Sequence, residues 1–286
     1  MTHYRVIGSG GRCRLGEGPY WSVRQQALYW VDILSQTVFR LRLDEESITT
    51  WHLPEMIGWL IERASAQGFV AGMRRDIVHL ELDPMKITSI ARLESDHPGN
   101  RLNDAKADAC GRIWAGTMPL NAQGDTGSLY RLDPDGGVSC HDNGYSVTNG
   151  PAFSPDGRHL YHHDSARGLV YRFELGVDGT LSDRRVHIRL GAGEGKPDGM
   201  TVDAEGALWI ALWGAGRVSR YTADGRFDRA VHLPVSQVTS CAFGGPALDR
   251  LFVTSAAEGA EAEPLAGSLF EIVASVTGLA PNLYAG

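Results

Sequence analysis

Six short apolar, aromatic-rich segments recur along the chain, each after a Gly- or Asp-type turn, and this recurrence narrows the fold more than any other feature. They read ALYWVD (27–32), GFVAGM (68–73), RIWAGT (112–117), HLYHHD (159–164), ALWIAL (207–212) and RLFVTS (250–255). With Leu28, Phe69, Ile113, Leu160, Leu208 and Leu251 aligned, the steps are 41, 44, 47, 48 and 43 residues. A second strand-like segment follows each: VFRL (38–41), IVHL (77–80), LYRL (129–132), VYRF (170–173), VSRY (218–221) and LFEI (269–272). Several strands within a repeat of roughly 40–50 residues is the pattern of a β-propeller, whose blades are small sheets that bury their faces against one another. Six repeats predict an all-β, six-bladed β-propeller around a central channel. The strand-like HYRVIG (3–8) and SLFEIV (268–273) are expected to share one blade and close the ring.

The rest of the chain agrees with this reading. FRLRLD (39–44), VHLELD (78–83) and LYRLDP (129–134) alternate apolar and polar residues, as half-buried strands do. Asp-Gly pairs at 135–136, 156–157, 178–179 and 224–225 supply turn chemistry between strands. The 35 glycines are dispersed rather than gathered into a linker. The segment AAEGAEAEPLA (256–266) is the least strand-like and is predicted to be a loop. Because the repeats run nearly end to end, residues 1–286 are expected to form one domain.

Charge and composition limit the partners. The formal charge of −7, with no run of Lys and Arg, argues against nucleic acid. No stretch approaches the roughly 18–20 apolar residues of a membrane span. The opening MTHYRVIGSGGRCRLG lacks an apolar core of signal-peptide length. Cys13, Cys110, Cys140 and Cys241 show no metal-type spacing, and nothing demands a disulfide among them. The expectation is a reduced, cytoplasmic protein, monomeric or weakly oligomeric, acting on a small molecule.

Ten or eleven residues before each aligned position stand Glu17, Gly58, Asn103, Asn149, Asp198 and Ser240. The first strand of a propeller blade lines the channel, so equivalent positions on successive blades form a ring at one mouth. Residues distant in sequence then become neighbours, and Glu17, Asn149 and Asp198 bring two carboxylates and an amide oxygen together. Such donors suit a hard divalent cation such as Ca²⁺, Mg²⁺ or Mn²⁺; the expected cofactor is one divalent cation, Ca²⁺ first, with Mg²⁺, Mn²⁺ and the softer Zn²⁺ as alternatives. Three protein ligands leave positions for water and substrate, as a catalytic site requires. A simpler view makes the Asn-Gly and Asp-Gly pairs ordinary turns and Glu17 a solvated loop residue. It accounts for each residue singly but not for their common register.

Arg101 and Asn103 lie two residues apart, so in an extended strand they face the same way. Both are expected to reach the channel mouth and bind a polyhydroxylated or anionic ligand, unless Arg101 pairs with a nearby acid. His162 and His163 are adjacent and point to opposite faces, so structural roles are expected for both. Gly8-Ser9-Gly10-Gly11 lacks the Gly-Lys-Ser/Thr and the helix of a phosphate loop. No G-x-S-x-G elbow is present. Trp30, Trp51, Trp114 and Trp209 are expected in the blade core, and Trp213 nearest a pocket.

LGEGPYW (15–21), YWVDI (29–33), NRLNDAKADACGRIWAGTM (100–118), TNGPAFSPDGRHLYHHDS (148–165), KPDGMTVDAEGALWIALWGAGRV (196–218) and TSCAFGG (239–245) resemble, in order, the motifs of the senescence marker protein / gluconolactonase / luciferin-regenerating enzyme family. The resemblance covers nearly the whole chain. It implies a six-bladed propeller with one divalent cation, held by Glu17, Asn149 and Asp198 in the E-G-P, N-G and P-D-G motifs. It implies Arg101 and Asn103 as substrate contacts, and hydrolysis of sugar lactones as the activity. Some members carry a substrate-touching Glu just after G-T-M. Here Leu120 stands at that place, which implies a different hydroxyl pattern or charge on the substrate.

The mechanism expected from such a site is attack of water on a carbonyl polarised by the cation. Asp198 would serve as ligand and general base, Glu17 and Asn149 would fix the ion, and Arg101 and Asn103 would hold sugar hydroxyls. The substrate is expected to be an aldonolactone such as gluconolactone, or a pentonolactone. Arg101 and the missing acid at 120 would also suit an aldarolactone. Two further roles fit the same scaffold: a non-catalytic calcium-binding propeller, and a phosphotriesterase-type or lipophilic-lactone hydrolase. The last would need a broad apolar mouth, which the polar Arg101–Asp104 segment argues against.

Overall fold

Within each repeat a largely apolar segment precedes an alternating one, and the sheets follow that gradient from the axis outward. The computed structural model describes residues 4–8 and 11–286, which form six four-stranded antiparallel sheets and no helix. The N-terminal strand is β1 (Tyr4–Ile7). The first blade holds β2 (Gly16–Ser22), β3 (Ala27–Asp32), β4 (Thr37–Arg42) and β5 (Ser47–His52). The second holds β6 (Ile57–Glu62), β7 (Phe69–Met73), β8 (Asp76–Leu82) and β9 (Met85–Arg92). The third is β10 (Asn100–Ala107), β11 (Ile113–Pro119), β12 (Gly127–Leu132) and β13 (Val138–Tyr145). The fourth is β14 (Thr148–Phe153), β15 (His159–Asp164), β16 (Leu169–Leu175) and β17 (Leu181–Arg189). The fifth is β18 (Lys196–Val202), β19 (Leu208–Trp213), β20 (Arg217–Tyr221) and β21 (Phe227–His232). The last is built from β22 (Val238–Gly244), β23 (Arg250–Ser255) and β24 (Leu269–Val273), with β1 as its outer strand.

The chain therefore closes on itself as the repeats predict. Val6 pairs with Phe270 and Tyr4 with Ile272. His3, at the start of the predicted segment, and Ser9 and Gly10 of the glycine run lie outside the described residues. Residues 256–266 form the predicted loop.

Each blade buries its inner strands and exposes its outer one. β3 is buried throughout, whereas β17 carries Asp183, Arg184 and Arg185 on an exposed edge. Charges on an outer strand discourage pairing with another chain. The Asp-Gly pairs turn as expected: Gly136 has φ +87° and its N–H donates to Asp133 O at 2.9 Å. A left-handed residue at that point suits glycine, which has no Cβ to clash.

The core lies between blades. Tyr29 of the first blade meets Phe69 of the second edge-on at 4.9 Å, and Trp209 of the fifth meets Phe243 of the last at 6.1 Å. Trp30, Trp51, Trp114 and Trp209 are buried, as predicted. Burial of each such side chain contributes about 1.5–3 kcal/mol. After β24 the chain crosses the end of the channel opposite the N-terminal ends of the inner strands. Gly278 bridges Asp203, Asn282 Nδ2 donates to Ala107 O at 3.2 Å, and Tyr284 N–H donates to Glu62 O at 2.9 Å.

Buried charge at the blade rims is satisfied locally. Asp108 Oδ2 accepts from Arg112 Nε at 2.6 Å and Trp114 Nε1 at 2.9 Å. Asp203 Oδ2 does the same for Arg220 and Trp209 two blades on. Asp108→Ala would strand the buried Arg112 guanidinium and the Trp114 N–H. It should lower unfolding free energy by about 3–5 kcal/mol in urea titration. Asp156→Ala, at an exposed turn, should change it by less than about 0.5 kcal/mol.

Candidate active site

Every inner strand carries one residue more than its neighbour can pair. The pairing slips between Glu17 and Tyr20, Ile57 and Trp59, Leu102 and Ala105, Asn149 and Ala152, Pro197 and Met200, and Val238 and Ser240. Each slip is a β-bulge, which bends the strand and re-aims side chains. The six ring positions inferred from the repeats all fall at these bulges.

Contacts join the ring one blade to the next. A Cβ on Gly18 would stand 2.9 Å from Gly58 O, and one on Gly58 would stand 2.5 Å from Asn103 O. Glycine at 58 is thus explained by crowding: the backbone of β10 occupies the space of a side chain. Asn103 Nδ2 donates to Asn149 Oδ1 at 2.9 Å and to Thr148 O at 2.6 Å. His163 Nδ1 donates to Asp198 O at 2.8 Å, Gly199 packs on Ser240, and Thr239 Oγ1 donates to Gly16 O at 2.5 Å. The last contact returns to the strand that carries Glu17.

Glu17, Asn149 and Asp198 are all buried in this ring, so Glu17 is not a solvated loop residue. Burial, and then the Asp104 charge, push the Glu17 carboxyl up to about 8. Burial, then Glu17 and Asp104, push Asp198 well above the ordinary carboxylate range. No Lys, Arg or His nitrogen lies within 4.0 Å of either carboxylate among the described residues. Two buried, mutually repelling carboxylates that the Arg101 charge offsets only from beyond 4.0 Å are donors that suit a divalent cation. Asn149 fits the same set. Its Nδ2 donates to Ser165 Oγ at 2.9 Å, which leaves Oδ1 a lone pair beyond the Asn103 bond. Among the described residues no three His, Cys, Asp or Glu side chains gather as a metal cluster, so the candidate donor set depends on that amide oxygen.

Arg101 and Asn103 share one face of β10, as their spacing predicts. Arg101 Nη1 donates to Asn103 Oδ1 at 2.6 Å and to Leu102 O at 3.0 Å. Asn103 spends both amide hydrogens on Asn149 and Thr148, so it ties Arg101 to the ring and keeps one lone pair on Oδ1 for a ligand. Burial pulls the Arg101 guanidinium down to about 10, against the Glu17 and Asp198 charges that raise it.

His162 and His163 point apart, as expected. His162 meets the Tyr145 ring edge-on at 4.8 Å, while His163 reaches the next blade. Burial lowers His162 well below its usual range and His163 to about 3, so both stay neutral. The His163 bond to the Asp198 carbonyl fixes the Asp198 backbone, a role no local motif announces. Trp213 is half-buried at the end of β19, bridged to Gln237.

Asp104 is the charged group that the repeat register alone does not single out. It occupies the extra position in the β10 bulge, is buried, and has an Oδ2 without a partner. Burial raises its carboxyl, and Lys106 opposes that rise. Both line a cavity of about 110 Å³ further along the channel, walled by Trp21, Trp59 and Phe243 and bordered by tail residues 279–282.

Comparison with known proteins identifies the family and agrees with the fold. Residues 15–257 match the SMP-30/Gluconolactonase/LRE-like region. The chain is 36% identical to 6-deoxy-6-sulfogluconolactonase of Pseudomonas putida over 95% of each chain. It is 37% identical to a pentonolactonase of Haloferax volcanii, over 97% of this chain and 96% of that one. A calcium-binding protein, regucalcin, from Agrobacterium tumefaciens superposes with a TM-score of 0.93 at 32% identity, over 99% of this chain and 97% of that one. The protein belongs to the SMP-30/gluconolactonase/LRE-like family.

Proposed function

We propose that this chain hydrolyses a sugar lactone to its sugar acid, with one divalent cation held by Glu17, Asn149 and Asp198. The observation that carries the reading is the pair of buried carboxylates, Glu17 and Asp198, raised by burial and by neighbouring negative charge, with no Lys, Arg or His nitrogen within 4.0 Å among the described residues. The two lactonases among its relatives support the reaction class, and the regucalcin neighbour's calcium-binding description supports the cation.

A cation bound there supplies Lewis-acid polarisation of the lactone carbonyl and charge for the developing oxyanion. Asp198 orients the attacking water with a carboxylate oxygen, takes its proton, and returns that proton to the ring oxygen as the acyl C–O bond of the ring breaks. His163 holds the Asp198 backbone, so that carboxylate does not swing away from the ring. Glu17 and Asn149 complete the donor set. Arg101 and the free lone pair of Asn103 hold substrate oxygens, converting binding into orientation. A non-catalytic calcium-binding role leaves the buried Arg101 beside the ring without a purpose.

Two measurements check this reading. In a pH-stat assay over neutral aldonolactones, the chelated protein should be inactive and re-addition of single cations should restore turnover. Asp198→Ala should reduce kcat by about 1000-fold or more, and Asp198→Asn should keep cation affinity better than rate. Undiminished turnover by Asp198→Ala would remove Asp198 from the reaction.

The second concerns stability without the cation. The folded-state pKa of Glu17 lies near 8, above its ordinary 4.5. Below 4.5 the carboxyl is neutral in folded and unfolded chains alike. As pH rises toward 8 the unfolded chain ionises first, so the cation-free fold loses stability across that window. Thermal unfolding of the chelated protein should show Tm falling from about pH 5 to 8. Saturating Ca²⁺ should raise Tm most at the upper end. A flat cation-free profile would separate Glu17 from the cation site.

A further inference from the structure

Three arginines of this chain are buried to a similar degree: Arg101 at 8% exposure, Arg112 at 6% and Arg220 at 6%. Two of them have acids. Arg112 Nε lies 2.6 Å from Asp108, and Arg220 contacts Asp203 and Asp228 at 2.8 Å and Glu205 at 2.5 Å. Arg101 has no carboxylate within 4.0 Å among the described residues. Its two bonds, both from Nη1, go to neutral oxygens. The side chains nearest in register offer nothing better. Met118 stands directly across the strand pair, and Leu120, two residues on and 40% exposed, bonds through its N–H to Gly99 O.

The charges around the channel sharpen this exception. Glu17 and Asp198 offset the Arg101 charge only from a distance, and the divalent cation proposed above would take up both. Asp104 is opposed by Lys106 deeper in the channel. Arg101 is what remains: a buried guanidinium with Nε and Nη2 uncommitted, beside the place where the lactone would lie. A buried charge without a partner is costly, and the same chain avoids that cost at its other two buried arginines.

Building on the lactonase reading above, we infer that the lactone taken by this site carries its own anionic group, a carboxylate, sulfonate or phosphate remote from the ring carbonyl, and that this group is the counter-charge of Arg101. A guanidinium fork matches such oxyanions with two parallel hydrogen bonds. A neutral aldonolactone offers only hydroxyls and leaves the charge unpaired.

The test is steady-state kinetics of the full chain with glucono-δ-lactone, a glucarolactone and the lactone of 6-deoxy-6-sulfogluconate, in wild type, Arg101→Gln and Arg101→Lys. At least one anionic lactone should exceed the neutral one in kcat/KM by about 10- to 100-fold. Rising salt should shrink that ratio, Arg101→Gln should bring it within about threefold of unity, and Arg101→Lys should restore part of it. No preference in wild type, or a preference that survives Arg101→Gln, overturns the inference. Calorimetry on the cation-loaded protein separates this outcome from failure of the lactonase reading. There galactarate should bind about 10-fold tighter than galactonate, and Arg101→Gln should abolish the difference. If no lactone turns over but this gain appears, the lactonase reading falls and the anion site stands. If lactones turn over but the gain is absent, the anion site falls alone.

Discussion

Six inner strands meet around one axis, and each has a residue that its neighbouring strand cannot pair. The bulge that results bends the strand where the strands converge most closely. It turns one polar or small residue per blade toward the mouth of the channel. Space there is so short that β10 presses its Asn103 carbonyl into the position a side chain at 58 would fill. The site is thus a consequence of crowding. Carboxylates, amides and a guanidinium are packed where water has little access, and each is forced to find a partner or leave a charge unbalanced.

That imbalance organises the chemistry. Glu17 and Asp198 are held in a place that favours their neutral forms, and the cation proposed above would offset the cost of ionising them. Asn103 and His163 bring no charge to the ring. They tie Asn149, Arg101 and the Asp198 backbone into one rigid set. Rigidity of this kind limits the reorganisation needed during reaction, because donors and charges already stand where they are used. The same rule explains the blade rims, where Asp108 and Asp203 neutralise buried arginines and leave nothing for a ligand. Arg101 differs from them only in lacking an acid.

Much of the fold was legible because a propeller is periodic. The strand ALYWVD and its five counterparts announce six blades, and a step of ten or eleven residues back from each finds the inner-strand bulge. Glu17, Asn149 and Asp198 stood out because three oxygen donors share one register. Asp104 did not, since it sits one place off that register and only the bulge turns it inward. His163 looked structural, and its bond to the Asp198 carbonyl depends on how close the fourth and fifth blades approach. Gly58 breaks the run of oxygen donors because the neighbouring backbone fills the space of its side chain.

The amino-acid sequence by itself determined the number of blades, the closing of the ring through its two end strands, and the donor types at one mouth. Those follow from periodicity and turn chemistry, which are local. Only the tertiary structure decided which groups are left unbalanced: that Arg101 has no acid within 4.0 Å among the described residues, that Asp104 and Lys106 line one cavity in the channel, and that Glu17 and Asp198 repel in a buried place. Such balances are set by desolvation and by distances between strands far apart in the chain, and no local pattern encodes either.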